Sequence, residues 1–235
     1  TFGAAREKIA VATQKLVRLT ADLDYARADG LTITYGTAYH ALIDRAQLKH
    51  GETLAVLGAA GGVGLAAVEL GKLLGARVIA CGSTNDKLEF ARQHGADAVV
   101  NYASEDLRDA LKRLGGEHGI DVIFDPVGGP HSEAALRAIA WKGRHLVVGF
   151  AAGEIPRLPL NLTLLKGCDV LGVYFGDWVW REPERYRAAI VALAGWAAEG
   201  KLSCHVHRAY PLAEMPQALK ALTERIAMGK VIVTP

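Results

Sequence analysis

Residues 56–83 read VLGAAGGVGLAAVELGKLLGARVIACGS. An apolar strand runs into a glycine-rich turn, an apolar helix follows, and a second strand closes on Cys81-Gly82-Ser83. In GAAGGVG, Ala59, Gly61 and Gly64 fall on the three key positions of a G-x-G-x-x-G fingerprint, which the chain misses by the one methyl group of Ala59. Gly61 lets the backbone approach a pyrophosphate, Gly64 lets the helix pack on the strand, and the helix N-terminus offers free N–H groups to the phosphates. The pattern is weak in isolation. It gains meaning because it follows a strand and opens a helix. The plainer reading is a turn that serves helix–sheet packing only.

The second strand ends ACGSTNDK, residues 80–87. A site selective for NAD places Asp or Glu there to accept from the ribose 2′-OH, and that carboxylate repels a 2′-phosphate. Here Gly82, Ser83 and Thr84 leave room and offer hydroxyls, and Lys87 brings a positive charge to the same edge. The missing acid therefore makes room for NADP(H). The plainer reading of Lys87 is a solvated helix lysine.

Working outward, strand and helix signals alternate from about Thr53. The strands are TLAVLG, RVIACG, ADAVVNY, DVIFDPVG, HLVVGF and DVLGVYF, mostly continuous apolar runs of the kind expected where both sheet faces are covered. Helical stretches at 63–75, 86–95, 104–115, 131–140 and 161–166 separate them. This predicts an α/β fold, a doubly wound parallel six-stranded Rossmann sheet. Before it lie a strand-like EKIAVA (residues 7–12) and irregular turns. After Trp178 come a long helix at about 182–199, then HVHRAYPL, another helix, and the terminal strand KVIVTP. Neither flank closes a core of its own, so both read as parts of a neighbouring domain.

The 235 residues are 51% apolar and 22% charged, with a formal charge of +2. No basic block points to nucleic acid. No run approaches the ~20 apolar residues of a membrane span. The opening TFGAAREK does not read as a signal peptide, and Thr1 implies processing or a piece of something longer. Cys81, Cys168 and Cys204 are far apart and odd in number, which suits a reducing cytoplasm.

The segments YGTAYHAL, GAAGGVGLAAVELGKLLGA, DPVGG, LVVGFAAG, PLNLTLLKG and GVYFG together resemble the zinc-free quinone oxidoreductases of the medium-chain dehydrogenase/reductase superfamily. The resemblance covers nearly the whole chain. It implies an NADPH-dependent reductase of quinones or related conjugated carbonyls, with a nucleotide domain, a GroES-like barrel domain, and an active site in the cleft between them. It divides the chain into 1–35, the C-terminal edge of the barrel domain; 36–175, the NADP-binding domain; and 176–235, a segment returning to the barrel domain. Most of the barrel is missing, the chain beginning near that domain's final strand.

The resemblance implies that Gly61, Gly62 and Val63 lie at the pyrophosphate, and Ser83, Lys87 and Tyr102 at the 2′-phosphate. It implies that Thr37, Val127, Gly149 and Phe150 lie along the nicotinamide half. A strand-end cap is the plainer reading of Tyr102, and a core aromatic that of Phe150. The chain departs from the pattern in YARADGLTITYG, which carries charges and no proline, and at His40, where an aromatic or aliphatic residue is common. The resemblance also implies a homodimer through the edge strand 169–175.

No cysteine precedes Thr37, where zinc-dependent members carry a ligand, and the His205/His207 pair on one strand face falls short of a four-coordinate site, so no metal is expected. No Ser-His-Asp order or G-x-S-x-G turn suggests hydrolysis, and no general acid is identifiable. Two alternatives stay open: a 2-enoyl thioester reductase using the same cofactor half, and a non-catalytic NADP(H)-binding module.

Overall fold

The computed structural model describes residues 5–13, 16–19 and 23–235; Thr1 lies outside them. Among the described residues, a continuous helical run forms the first long element. It alternates α-helical turns, α1 (Tyr25–Gly30) and α2 (Gly36–Tyr39), with π-helical ones at Leu31–Tyr35 and His40–Arg45. The sequence here reads as irregular turns, because Thr32, Ile33 and Thr34 are β-branched and flanked by glycines. The structure makes it helical. Asp24 caps the start by accepting from the Arg27 N–H, and Thr34 donates its hydroxyl back to the Gly30 carbonyl within the widened turn.

Six parallel strands follow: β1 (Thr53–Leu57), β2 (Arg77–Gly82), β3 (Ala98–Asn101), β4 (Ile120–Asp125), β5 (Ile139–Val147) and β6 (Asp169–Gly172). Their order is β3-β2-β1-β4-β5-β6, the doubly wound arrangement expected from the alternation. The crossovers carry α3 (Gly62–Leu73), α4 (Asn85–Gln93), α5 (Leu107–Gly115), α6 (Pro130–Leu136) and α7 (Asn161–Lys166).

Side-chain alternation divides each central strand between two cores. Leu54, Val56, Val78, Ala80, Val122 and Phe124 face one side, with Ala66, Val68 and Leu70 of α3. Ala55, Leu57, Ile79, Cys81 and Ile123 face the other, with Leu111 of α5 and Leu136 of α6. A strand buried on both faces has no polar side to show, so its sequence is a continuous apolar run.

The last strand is shorter than the sequence suggests. It ends at Gly172, and Phe175 already begins α8 (Phe175–Arg181). Beyond it come α9 (Pro183–Ala198), β7 (Val206–Pro211), α10 (Met215–Thr223) and β8 (Lys230–Thr234), with β7 and β8 paired in parallel as a small second sheet. EKIAVA, in contrast, forms no strand. Residues 7–12 are mostly exposed, and among the described residues no strand pairs with them. An extended segment without a neighbour keeps its backbone groups in water.

The small sheet is stitched to the glycine turn. The Gly229 N–H donates to the Ala60 carbonyl at 2.8 Å, and Gly61 and Gly229 form an isolated parallel bridge.

Candidate functional site

The reversal of strand order between β1 and β4 opens a crevice at the C-terminal ends of the strands. The glycine turn fills its floor. Gly58, at φ +60°, makes the left-handed step out of β1, so the conformation that needs glycine falls one residue before the first fingerprint position. That is why Ala59 is accommodated: its φ is not positive. At Gly64 a Cβ would stand 2.2 Å from the Gly58 carbonyl oxygen and 3.0 Å from the Ala59 Cα, a contact with backbone that only glycine avoids. At Gly62 a Cβ would meet Thr34 Cγ2 at 3.2 Å, so the π-helical turn presses on the same loop.

A cleft of about 500 Å³ lies above the turn. Gly61, Gly62, Ser83, Lys87, Tyr102 and Val127 all border it, as do His131, Ala151, Arg225 and Gly229. The sequence separates these residues widely. Parallel strands bring them together because each strand releases its following loop at the same end. Thr84 caps α4 by accepting from the Lys87 N–H at 3.4 Å, which sets Lys87 in the first turn beside Ser83.

Tyr102 is more than a strand-end cap. Its ring lies 4.3 Å from the His131 ring, centroid to centroid, in a tilted stack. Burial first, and then the Cys81 thiol, push its phenol above the ordinary tyrosine range, while the Arg225 guanidinium pulls it back. The hydroxyl therefore remains protonated and able to donate. Burial pushes His131 below the ordinary histidine range against the opposing pull of Asp125, which keeps the imidazole neutral at physiological pH.

Arg225 is the functional candidate that the sequence did not expose. It follows α10 in the left-handed region, φ +57°, where glycine is the usual residue. The Arg225 N–H donates to Leu222 O and the Ile226 N–H to Ala221 O, which completes the helix stop. Its guanidinium donates to the Ala151 carbonyl at 3.3 Å, and its own carbonyl accepts from Lys87 Nζ at 2.5 Å. Residues 222–229 thus form a strap across the cleft with cations at its edge. A non-glycine residue held at positive φ costs on the order of 1 kcal/mol.

Four expected site residues do not border this cleft. Thr37 is buried in α2, and Val63 packs its side chain on the first core. Gly149 and Phe150 follow β5, where the Gly149 N–H donates to the Asp125 carbonyl at 3.3 Å. Phe150 is not a core aromatic: it is 40% exposed. His40 is buried, stacked on Trp178 at 4.4 Å and hydrogen-bonded through Nδ1 to Asp44 at 3.0 Å, a packing role inside the helical layer. His205 and His207 do not act as a pair. A register shift between Val206 and Arg208 interrupts the strand at His207, whose Nδ1 accepts from the Met228 N–H, while His205 packs on Phe90 and His94. Among the described residues no group of three His, Cys, Asp or Glu side chains converges as a metal site.

The zinc-binding dehydrogenase family matches residues 62–195, which run from the start of α3 through β2 to β6 and most of α9. The chain belongs to this family. Its relatives put it among the quinone oxidoreductase-type medium-chain dehydrogenase/reductases. It is 34% identical over 233 residues to the quinone oxidoreductase-like protein 2 homolog of Nematostella vectensis, covering 98% of this chain and 64% of that protein. It is likewise 34% identical to quinone oxidoreductase-like protein 2 of Bos taurus, covering 99% and 67%. The crystal structure of Escherichia coli quinone oxidoreductase complexed with NADPH superposes with a TM-score of 0.86 at 27% identity, covering 94% of this chain and 69% of that one. The chain thus spans about two thirds of the length of the relatives it matches. Among the described residues this family member has no helix long and apolar enough to cross a membrane.

Proposed function

We propose that the chain is the cofactor-binding part of an NADPH-dependent oxidoreductase that reduces a quinone or a related conjugated carbonyl compound without zinc. One observation carries the reading: the end of β2 bears Ser83 in place of an acid, and Lys87 and Arg225 border the same cleft. The cleft suits NADP(H). Gly61 and Gly62 leave the backbone bare for a pyrophosphate, with the N-terminus of α3 behind it. Ser83, Lys87, Tyr102 and Arg225 would hold the 2′-phosphate by charge-assisted and neutral hydrogen bonds. Val63 would stand beside Gly61 and Gly62 at the pyrophosphate, and Val127, with Gly149, Phe150 and Thr37 on the flanking elements, would border the nicotinamide half of the cofactor.

Bound NADPH supplies the hydride. The residues of this chain orient it and exclude water from one side. We place the opposite wall, which seats the acceptor, in the third of the relatives' length that this chain does not span. On this reading residues 1–35 and 176–235 pack with that part, and 36–175 form the nucleotide domain. Reaction requires donor and acceptor atoms about 3–3.5 Å apart in a closed site, so the chain alone binds NADP(H) without useful turnover. The test is NADPH oxidation with quinones, enals and enoyl thioesters, measured for this chain alone and preceded by the barrel third. Turnover of quinones only in the longer form supports the reading. Turnover of enoyl thioesters in place of quinones assigns a thioester reductase, and binding without any turnover leaves a nucleotide-binding module.

The same reading makes the protein a homodimer through β6. This strand is an edge of the large sheet, Val170 on it is 39% exposed, and an open edge invites pairing with a second chain. Val170→Lys should convert a dimer to a monomer in sedimentation. A wild-type monomer at micromolar concentration contradicts the assignment.

A further inference from the structure

Asp125 closes β4 at the point where the strand order reverses, and it is only 3% exposed. Its two carboxylate oxygens hold different parts of the molecule. Oδ1 accepts from the backbone N–H groups of Val127 and Gly128, both at 2.9 Å. Oδ2 accepts from the Ser132 hydroxyl in α6 and lies 3.2 Å from Nε2 of His145 on β5. Its main-chain carbonyl accepts from the N–H of Val148 at 2.9 Å and of Gly149 at 3.3 Å. One residue therefore joins the loop after β4, the start of α6, and the loop after β5.

A buried charge is costly unless donors surround it. Burial pushes the Asp125 carboxyl up, but the hydrogen bonds from His145, Gly128 and Ser132 outweigh that effect and keep it below the usual carboxylate range. His145 is fully buried, and its other ring nitrogen, Nδ1, has no hydrogen-bond partner. The imidazole thus serves Asp125 alone, which favours the tautomer that donates from Nε2.

The parts held by Asp125 form one wall of the cleft. Val127 borders it, and His131, next to Ser132, borders it while stacking on Tyr102. Between them Gly128 and Gly129 are at φ +74° and +60°. A Cβ on Gly128 would meet Phe150 Cδ1 at 2.9 Å and the Glu154 carbonyl at 3.1 Å, so the loop is tight against its neighbour as well as pinned from below. A site held in place before its ligand arrives loses less freedom on binding.

We infer that Asp125 is a positioning residue for the nicotinamide-side half of NADP(H): without touching the cofactor, it presets the loop from Val127 to Gly129 through hydrogen bonds to Val127 and Gly128. Its own carboxylate is fixed by Ser132 and His145, whereas His131 is held by its stack on Tyr102. The inference rests on the cofactor reading given above. Asp125→Asn keeps the side-chain size but removes the charge and replaces one acceptor oxygen by an NH₂ group. Ser132 must then turn its hydroxyl proton away, and His145 must carry its proton on Nδ1, where no partner receives it.

The experiment compares two ligands by titration on the folded chain: NADPH, and 2′-phospho-ADP-ribose, which lacks the nicotinamide. In Asp125→Asn the Kd for NADPH should rise about tenfold, and that for 2′-phospho-ADP-ribose should stay within about twofold. The fluorescence of bound NADPH should move toward that of the free form. Should this variant not fold, Ser132→Ala removes one donor only and should change the same ratio by about threefold. Equal losses for both ligands, or no loss for either, would overturn the inference while the cofactor reading stands. A wild-type chain that binds neither ligand overturns both.

Discussion

The Lys87 ammonium donates to the main-chain carbonyl of Arg225 at 2.5 Å, across 138 residues of sequence. This bond joins the first turn of α4 to the strap that follows α10. The strap is also tied to the glycine turn by the Gly229 to Ala60 bond and to the loop after β5 by Arg225 to Ala151. The edge of the cleft proposed for the 2′-phosphate is thus assembled from distant parts of the chain.

Arg225 occupies a backbone conformation that favours glycine, and its side chain borders the cleft. Arg225→Gly should stabilise the fold by up to ~1 kcal/mol through relief of that strain, less the loss of unfolded-state rigidity. The same change should weaken NADPH by about tenfold, since a hydrogen bond to a charged group contributes roughly 1.5–3 kcal/mol. Urea denaturation and NADPH titration on one protein sample read both effects. A variant that loses stability and keeps its affinity would show that Arg225 is there for the fold.

Gly64 and Gly61 should separate packing from binding. Gly64→Ala drives a methyl group to 2.2 Å from the Gly58 carbonyl oxygen, against rigid backbone. It should cost about 1–3 kcal/mol or more in thermal or urea unfolding. At Gly61 the added carbon would sit 3.4 Å from the same oxygen, with φ −74° and ψ 166° open to any residue. Gly61→Ala should therefore unfold within about 0.5 kcal/mol of wild type while blocking the close approach of a pyrophosphate. Equal destabilisation by the two substitutions would contradict this division.

Acid should remove stability in two stages. His131 and His205 are both held below the ordinary histidine range, His131 by burial and His205 by burial and by neighbouring His94 and His207. The unfolded chain then binds more protons than the folded one, so their contribution is present above about pH 6.5 and is lost as pH falls through their folded values. Asp125 has the same sign at lower pH. Its depressed carboxyl contributes fully above about pH 3.9 and loses that contribution as pH falls through its folded value. Urea midpoints measured from pH 8 downward should decline in this order. Stability that rises between about pH 8 and pH 6 would contradict the histidine stage.

The sheet was legible because the stretch of a strand buried on both faces must be apolar, as VIACG (residues 78–82) and VIF (residues 122–124) are. The gathering of several expected site residues around one cleft was legible for a related reason. Gly61, Ser83, Tyr102 and Val127 each follow or end a parallel strand, so knowing the topology places them at one end. Arg225 gave no local signal, since its position depends on a helix stop and a strap that packs back onto the sheet domain. The helix through residues 25–36 was hidden because local propensity there is poor. Its stability comes from contacts, including Thr34 against Gly62 and Gly36 against Phe175. Ala59 looked like a defect in the fingerprint until Gly58 proved to make the turn.

The measurement that tests the central claim most directly is a paired titration of this chain with NADPH and NADH, repeated on Lys87→Ala. NADPH should bind at least about tenfold more tightly than NADH, and Lys87→Ala should remove most of that preference while leaving NADH nearly unchanged. Equal affinities in the wild-type chain, or equal losses of both cofactors in the variant, would contradict the assignment of this edge to a 2′-phosphate.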